Sequence, residues 1–588
     1  MRRSSLSLVL TLALGATVTA TQKQSRPEAD LCAIPPGAQP MLPARLLSGM
    51  GETTMPVSTK SAEAQKFFNQ GMSQVHSFWF LESERSFLQA LQLDPDLAMA
   101  YWGISVSAAG DYRPAFQLLR DPLDGGRPTT APEATAEQAV TRDTSGAALD
   151  PAVRGREAIA KAMSMRDKVT PRERLYIEAE AARRTRDSKT KDADHIAALR
   201  TLVAAYPNDL EAKSILGLAL LDGFDSRTRE PRKNTMEGLA LLEEIVKKDD
   251  NNFGAHHYLI HGFEGSKTPE RAWRASQRYP ELVPNIPHAL HMPGHIYAQS
   301  DRIEDAIAAF TAAADNELSY LNADTLYPNG HHGHNVHFLI QVLNLGGRYQ
   351  DSMKRTQQLL NDFKETPRER KGSNQRVAWR QGYFGLIKTL VRFERWDDIL
   401  VGSVIPAYDR AEQRAWRTWA EGLAHAAKGD RKEAQRSWEQ MGTLLHTVAA
   451  SKRPLTIARI ELEAAIAAGR KSERRHAWDL YRKAADEEAG LLYTEPPSYP
   501  RPVVEGWGRA AIAAGEFRVA EAAYREALVR EPGGGRALFG LAAAQRGQGR
   551  TADADATLIK AQKAWDKADA DLPQMKNATR RADDGSQH

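Results

Sequence analysis

With 588 residues, 42% of them hydrophobic and 26% charged, the chain has enough apolar material for several domains or one long repeat array. A formal net charge of only +4 and the lack of any long basic stripe leave no electrostatic footprint for nucleic acid. The single cysteine, Cys32, excludes an internal disulfide framework.

The N-terminus reads as an export signal: Arg2 and Arg3, an apolar stretch from Leu6 to Val18, then small residues at Val18-Thr19-Ala20. Cleavage is expected after Ala20, which places the mature protein in the periplasm or makes it secreted. The apolar stretch is short for a membrane span, and no later segment supplies a transmembrane one. The expected organisation is a signal peptide at 1–20, an irregular leader at 21–57, N-terminal repeats at 58–120 and a linker at 121–150 rich in Gly, Pro, Thr and Ala. Helical repeats at 151–252, histidine-rich repeats at 253–361, C-terminal repeats at 362–570 and a disordered tail at 571–588 follow.

Self-similarity at a period of about 34 residues is the main organising signal. Gly508, Gly515, Phe517, Ala520, Tyr524, Ala527 and Pro532 occupy positions 8, 15, 17, 20, 24, 27 and 32 of one unit. This is the tetratricopeptide (TPR) pattern, in which small residues let two helices approach and aromatic residues fill the space between them. Gly71, Phe87, Ala90 and Pro95 keep the register, as do Gly294, Tyr297, Ala306, Phe310 and Ala313; Gly422, Gly429, Ala434 and Trp438 form a further unit. The fold class expected is all-α, a TPR-type α-solenoid: a right-handed superhelix of antiparallel helix pairs.

Ten of the sixteen histidines fall between His256 and His337. Imidazole is the commonest metal ligand, and His257/His261 and His291/His295 are spaced to share a helix face. In the repeat frame His257, His261 and Glu264 sit at positions 5, 9 and 12 of one unit, and His288, His291 and His295 at 2, 5 and 9 of the next. His334, His337 and Gln341 sit at positions 2, 5 and 9 of the third. These positions line the concave groove in TPR arrays, so the seven histidines and Glu264 are candidate metal ligands and Gln341 a candidate partner-groove residue. Nitrogen-rich donors without thiolate suit zinc or copper(II) rather than calcium or magnesium. His76, His195, His425, His446 and His476 read as ordinary surface or core histidines, and His256 as core. The helix carrying His291 and His295 has two conceivable starts, Pro287 and Pro293. Glu495 could reach the cluster only if the superhelix closes.

The segments HHYLIHGFE, HALHMPGHIY and HHGHNVHFL, with ERSFLQALQLDPDLAMAYWGIS, TPRERLYIEA and YTEPPSYPRP, resemble a family of exported bacterial TPR proteins over residues 60–560. That resemblance implies fold and export and carries over His257, His261, His291, His295, His334 and His337; it implies no activity. Two functions follow from the residues. One is a binding module that takes protein or peptide partners while its groove coordinates a metal. The other is a metal-dependent enzyme, a zinc hydrolase or copper oxidoreductase, with Glu264 as base. A pure scaffold with a pH-sensitive polar groove is the third alternative.

Overall fold

The computed structural model describes residues 43–108, 110, 112–118, 151–184, 190–323, 329–365, 377–448 and 451–576. The expected signal peptide, Cys32, the linker at 121–150 and residues 577–588 of the expected tail lie outside them. The regular structure of the described residues is helix, with no strand and only a lone bridge between Phe224 and Pro231. The chain is an all-α array of helix pairs of the TPR type. No helix of the described residues is long and apolar enough to cross a membrane.

The pairs form where the small residues of the repeat meet its aromatic ones. A Cβ added to Gly71 would lie 2.7 Å from the Phe87 ring; at Gly294 it would lie 2.5 Å from Phe310, and at Gly508 2.7 Å from Tyr524. In each case the glycine of the first helix faces the aromatic residue sixteen positions later on the second. One unit departs from this rule. Gly422 packs on Leu462, while Trp438 lies beneath the Arg459 guanidinium, 3.7 Å from its ring centre. The turn between paired helices needs a left-handed residue, so Gly347, Gly429, Gly515 and Gly549 all have φ between 73° and 82°.

Helices α1 (Ala62–His76), α9 (Phe253–Phe263), α11 (Pro287–Gln299) and α13 (Gly330–Leu345) position the histidines. Ser61 caps α1 by accepting from the Ala64 N–H, and Asn252 caps α9 by accepting from Ala255. Proline cannot donate, so Pro287 suits the first position of α11. The helix runs from there through Pro293, which resolves the two conceivable starts. Pro293 has no N–H for the Ala289 carbonyl. His331 and His332 are helical in α13.

Distant segments pack onto this middle third. Residues 43–58 form no helix, yet Met50 and Met55 are buried and the Ser48 carbonyl accepts from Asn285 Nδ2 at 2.9 Å. Near the other end, Trp565 donates from Nε1 to the Leu345 carbonyl at 2.7 Å, and Asp569 binds both sides of the Gly347–Gln350 turn.

The Tyr524 ring is held between Gly508 and Gly540 and has nowhere to retreat. Gly508→Val should therefore cost about 1–3 kcal/mol of stability. Chemical denaturation followed by circular dichroism measures this; an unchanged midpoint would mean that the helix pair can spread.

Candidate metal centre

All seven candidate histidines are buried, from 0% exposure at His257, His261 and His291 to 8% at His288. An open groove lined by these residues was the expectation. The structure fills that space instead. Residues 77–80 and 112–118 pack against it, and Tyr493 and Glu495 reach in beside Phe116 and Gln117. The histidines divide into a trio, a stacked group and one that stands apart.

The trio is His257 and His261 of α9 with His288 of α11. One ring nitrogen from each lies within 4.8 Å of the others. His257 Nδ1 is hydrogen-bonded to the backbone carbonyl of His76, at the C-terminus of α1. A carbonyl can only accept, so Nδ1 carries the proton and neutral His257 presents the Nε2 lone pair. His288 Nε2 lies 3.1 Å from that atom. Tetrahedral nitrogens bonded to one zinc at about 2.0–2.1 Å stand roughly 3.3 Å apart. His261 Nδ1 lies 3.1 Å from Glu264 Oε2, while its Nε2 is buried with no hydrogen-bond partner. A carboxylate on one ring nitrogen and a bare opposite nitrogen is the arrangement that orients a metal-ligating histidine.

Phe78 closes one side of the trio. Its ring lies 4.5 Å from that of His257, 5.3 Å from His261 and 5.6 Å from His288. It takes this place with a backbone φ of 51°, a left-handed conformation that bulky residues rarely adopt, and one that costs on the order of 1–3 kcal/mol. The Arg113 guanidinium stacks 5.2 Å above Phe78 and the same distance above Phe80. Tyr279 stacks on His257 from another side at 4.9 Å.

The stacked group is His291 and His295 of α11 with His334 of α13. The Nε2 atoms of His291 and His295 are 2.7 Å apart, and the His334 ring stacks on His291 at 4.9 Å. Phe310 and Phe338 wall this group, with Phe338 4.6 Å from His295 and 5.0 Å from His291. His337 stands apart, bonded to Gln381 and set against Phe384. Gln341 accepts from Lys388. Glu264 joins the two histidine groups: Oε2 faces His261, and Oε1 is 3.3 Å from His295 Nδ1.

Burial sets the electrostatics. It holds His257, His288, His291 and His337 well below the usual histidine range, and neighbouring histidines add to this at the first three. His261 and His332 are each lowered to about 4, chiefly by burial. Burial acts oppositely on Glu264, raising its carboxyl, with the nearby Glu495 adding and His295 opposing. These six imidazoles are therefore neutral, the form that binds metal.

His76 was expected to be an ordinary histidine. It supports the trio through its carbonyl, and its ring is fixed by Tyr258 at 2.7 Å and by Glu211. Phe78, Arg113, Gln117 and Tyr279 were not singled out in the sequence, and Tyr493 entered only as the first residue of the segment YTEPPSYPRP. Their types carry no metal signature, and only the fold brings them here. Glu495 was flagged and does arrive, accepting from Gln117 Nε2 at 2.7 Å.

No protein-family model matches this chain. No curated protein matches it either. Among solved structures it is similar to the human IFIT1 dimer with m7Gppp-AAAA, at 12% identity and a TM-score of 0.32, over 86% of this chain and 91% of that one. A monomeric IFIT1 mutant with Gppp-AAAA gives 11% identity and a TM-score of 0.33 over the same shares. Similarity at that level bears on neither ligand nor partner.

Neutral buried histidines make the metal-free protein sensitive to acid. A histidine depressed in the folded state takes up its proton more readily when unfolded, so stability falls as pH drops below about 6.5. Glu264 works the other way, because its raised carboxyl costs stability as pH rises, but the depressed histidines outnumber it. The melting temperature of chelator-treated protein should fall steadily from pH 7 to pH 5. A flat profile would show that these rings are not held neutral.

Proposed function

We propose that this is an exported TPR-type binding protein whose interior coordinates a transition metal, zinc or copper(II), through His257, His261 and His288. One observation carries the reading: three buried imidazoles from two neighbouring helices converge, and the His76 carbonyl dictates the tautomer of one of them. The donor set is all nitrogen, which suits zinc or copper and not a hard oxygen-seeking cation. Binding to a neutral trio releases few protons, so affinity should hold near neutral pH and fall in acid.

Burial also selects among the uses of such an ion. At 0% exposure, His257 and His261 are out of reach of a docked partner's surface. The ion then organises the interior or is itself the cargo, and protein or peptide partners bind elsewhere on the array. A metal-dependent enzyme is the second reading. It is favoured by the pair of carboxylates, Glu264 and Glu495, grouped with His261 within 4.8 Å.

Full-length protein purified without a histidine tag should retain zinc or copper through gel filtration, or take it up when supplied, as measured by elemental analysis. His257→Ala combined with His288→Ala should weaken that binding by at least tenfold. Parent protein that takes up neither metal would overturn the proposal. Turnover of peptides, esters or phenols by the loaded protein, lost in Glu264→Gln, would establish the enzyme reading.

A further inference from the structure

We propose that His261 serves two cations at once: its Nε2 completes the three-histidine set, and its Nδ1 joins Glu264 and Glu495 in holding a second ion. This inference rests on the three-histidine reading above and extends it to a histidine-bridged pair of metals.

The second set is an independent convergence of donors. Ligand atoms of His261, Glu264 and Glu495 lie within 4.8 Å of one another. The separation of 3.1 Å between His261 Nδ1 and Glu264 Oε2 is close to the roughly 3.3 Å between neighbouring ligands of one tetrahedral ion. Glu264 comes from the end of α9, one turn beyond His261, and Glu495 from a segment far along the chain. Glu264 Oε1 is buried and accepts no hydrogen bond, although His295 Nδ1 approaches to 3.3 Å.

What stands between these acceptors is a weak donor. The Gln117 side-chain amide places Nε2 3.2 Å from His261 Nδ1 and 2.7 Å from Glu495 Oε1. It donates to Glu495 and lies against the His261 Nδ1, two atoms that a cation would bind more strongly once Nδ1 has lost its proton. An amide can also turn its oxygen inward, so Gln117 is able to become a ligand rather than an obstacle. Tyr493 donates to Glu264 Oε2 at 2.9 Å and holds that carboxylate in place. Two carboxyl groups so close in a buried setting resist ionising together, and a divalent ion between them removes that obstacle.

The protons balance. With one ion on Nε2, neutral His261 keeps its single ring proton on Nδ1, directed at Glu264. A second ion displaces that proton and the one that burial holds on the Glu264 carboxyl; both pass to solvent, and the ring becomes an imidazolate bonded at both nitrogens. The second ion is chosen by a mixed set of oxygen and nitrogen donors, where copper(II) and zinc are both at home.

The test uses full-length protein, freed of metal by chelation and reloaded with copper(II). Ion content is measured by elemental analysis, and the same samples are examined by electron paramagnetic resonance. Two coppers per chain are expected, with a signal well below that of two isolated ions because the imidazolate couples their spins. Glu264→Gln combined with Glu495→Gln should hold one copper per chain and recover a full, uncoupled signal. One uncoupled copper in the parent would overturn the bridge while leaving the three-histidine site standing. Two coppers with a fully additive signal would overturn it as well, by placing the second ion elsewhere. No copper at all would overturn the bridge, and refusal of zinc as well would remove the three-histidine reading with it. The parent protein alone decides these outcomes, so a variant that failed to fold would not rescue the proposal.

Discussion

The backbone carbonyl at the end of α1 determines what His257 can do. By accepting from Nδ1 it leaves Nε2 bare and pointed away, and it does so with an atom that no substitution of a side chain can remove. That contact spans 181 positions, from one end of the described chain to the histidine-rich middle. The rest of the site leans on it. His288 finds its partner in the bare nitrogen, Phe78 follows directly from the turn that ends α1, and the ring of His76 is itself pinned by Tyr258 and Glu211. A histidine free to choose its tautomer would leave the trio without a common direction.

The apolar surroundings sharpen the chemistry of these donors. Phe78, Tyr279, Phe310 and Phe338 supply ring faces and edges but almost no hydrogen bonds. Imidazoles in such a setting resist protonation and carboxylates resist ionisation. Each polar group is thereby driven to a specific neighbour, since an unpartnered buried donor or acceptor is costly. The Nε2 atoms of His291 and His295 meet each other for this reason, and Glu264 lies between the two histidine groups.

Much of the fold was legible in the residues. The pairings Gly71–Phe87, Gly294–Phe310 and Gly508–Tyr524 follow directly from repeat register, because a local helix pair needs only local information. The trio was partly legible for the same reason: His257 and His261 share a face of α9, and His288 is placed beside them by the next unit. What register could not reveal is the filling of the groove. It treats each unit as a copy of its neighbour, whereas Gln117 arrives on a single 3-10 turn and Tyr493 and Glu495 on a helix-free segment, outside the helix pairs. Register also overstated the unity of the histidines. His337 occupies an equivalent position to His257 and His291, yet Gln381 of a neighbouring helix claims it.

The bond from Gln117 to Glu495 crosses 378 positions. Repeat arrays ordinarily hold together by nearest-neighbour contacts and can fray from an end without disturbing distant units. Here a clasp ties an early segment to a late one across the histidines. Loss of order near residue 495 is therefore felt at α9, and the array gains a cooperativity that stacked hairpins alone do not possess. The interior is sealed only when the segment holding Tyr493 and Glu495 has reached Phe116 and Gln117, so closure of the centre draws on parts of the chain that are far apart in sequence.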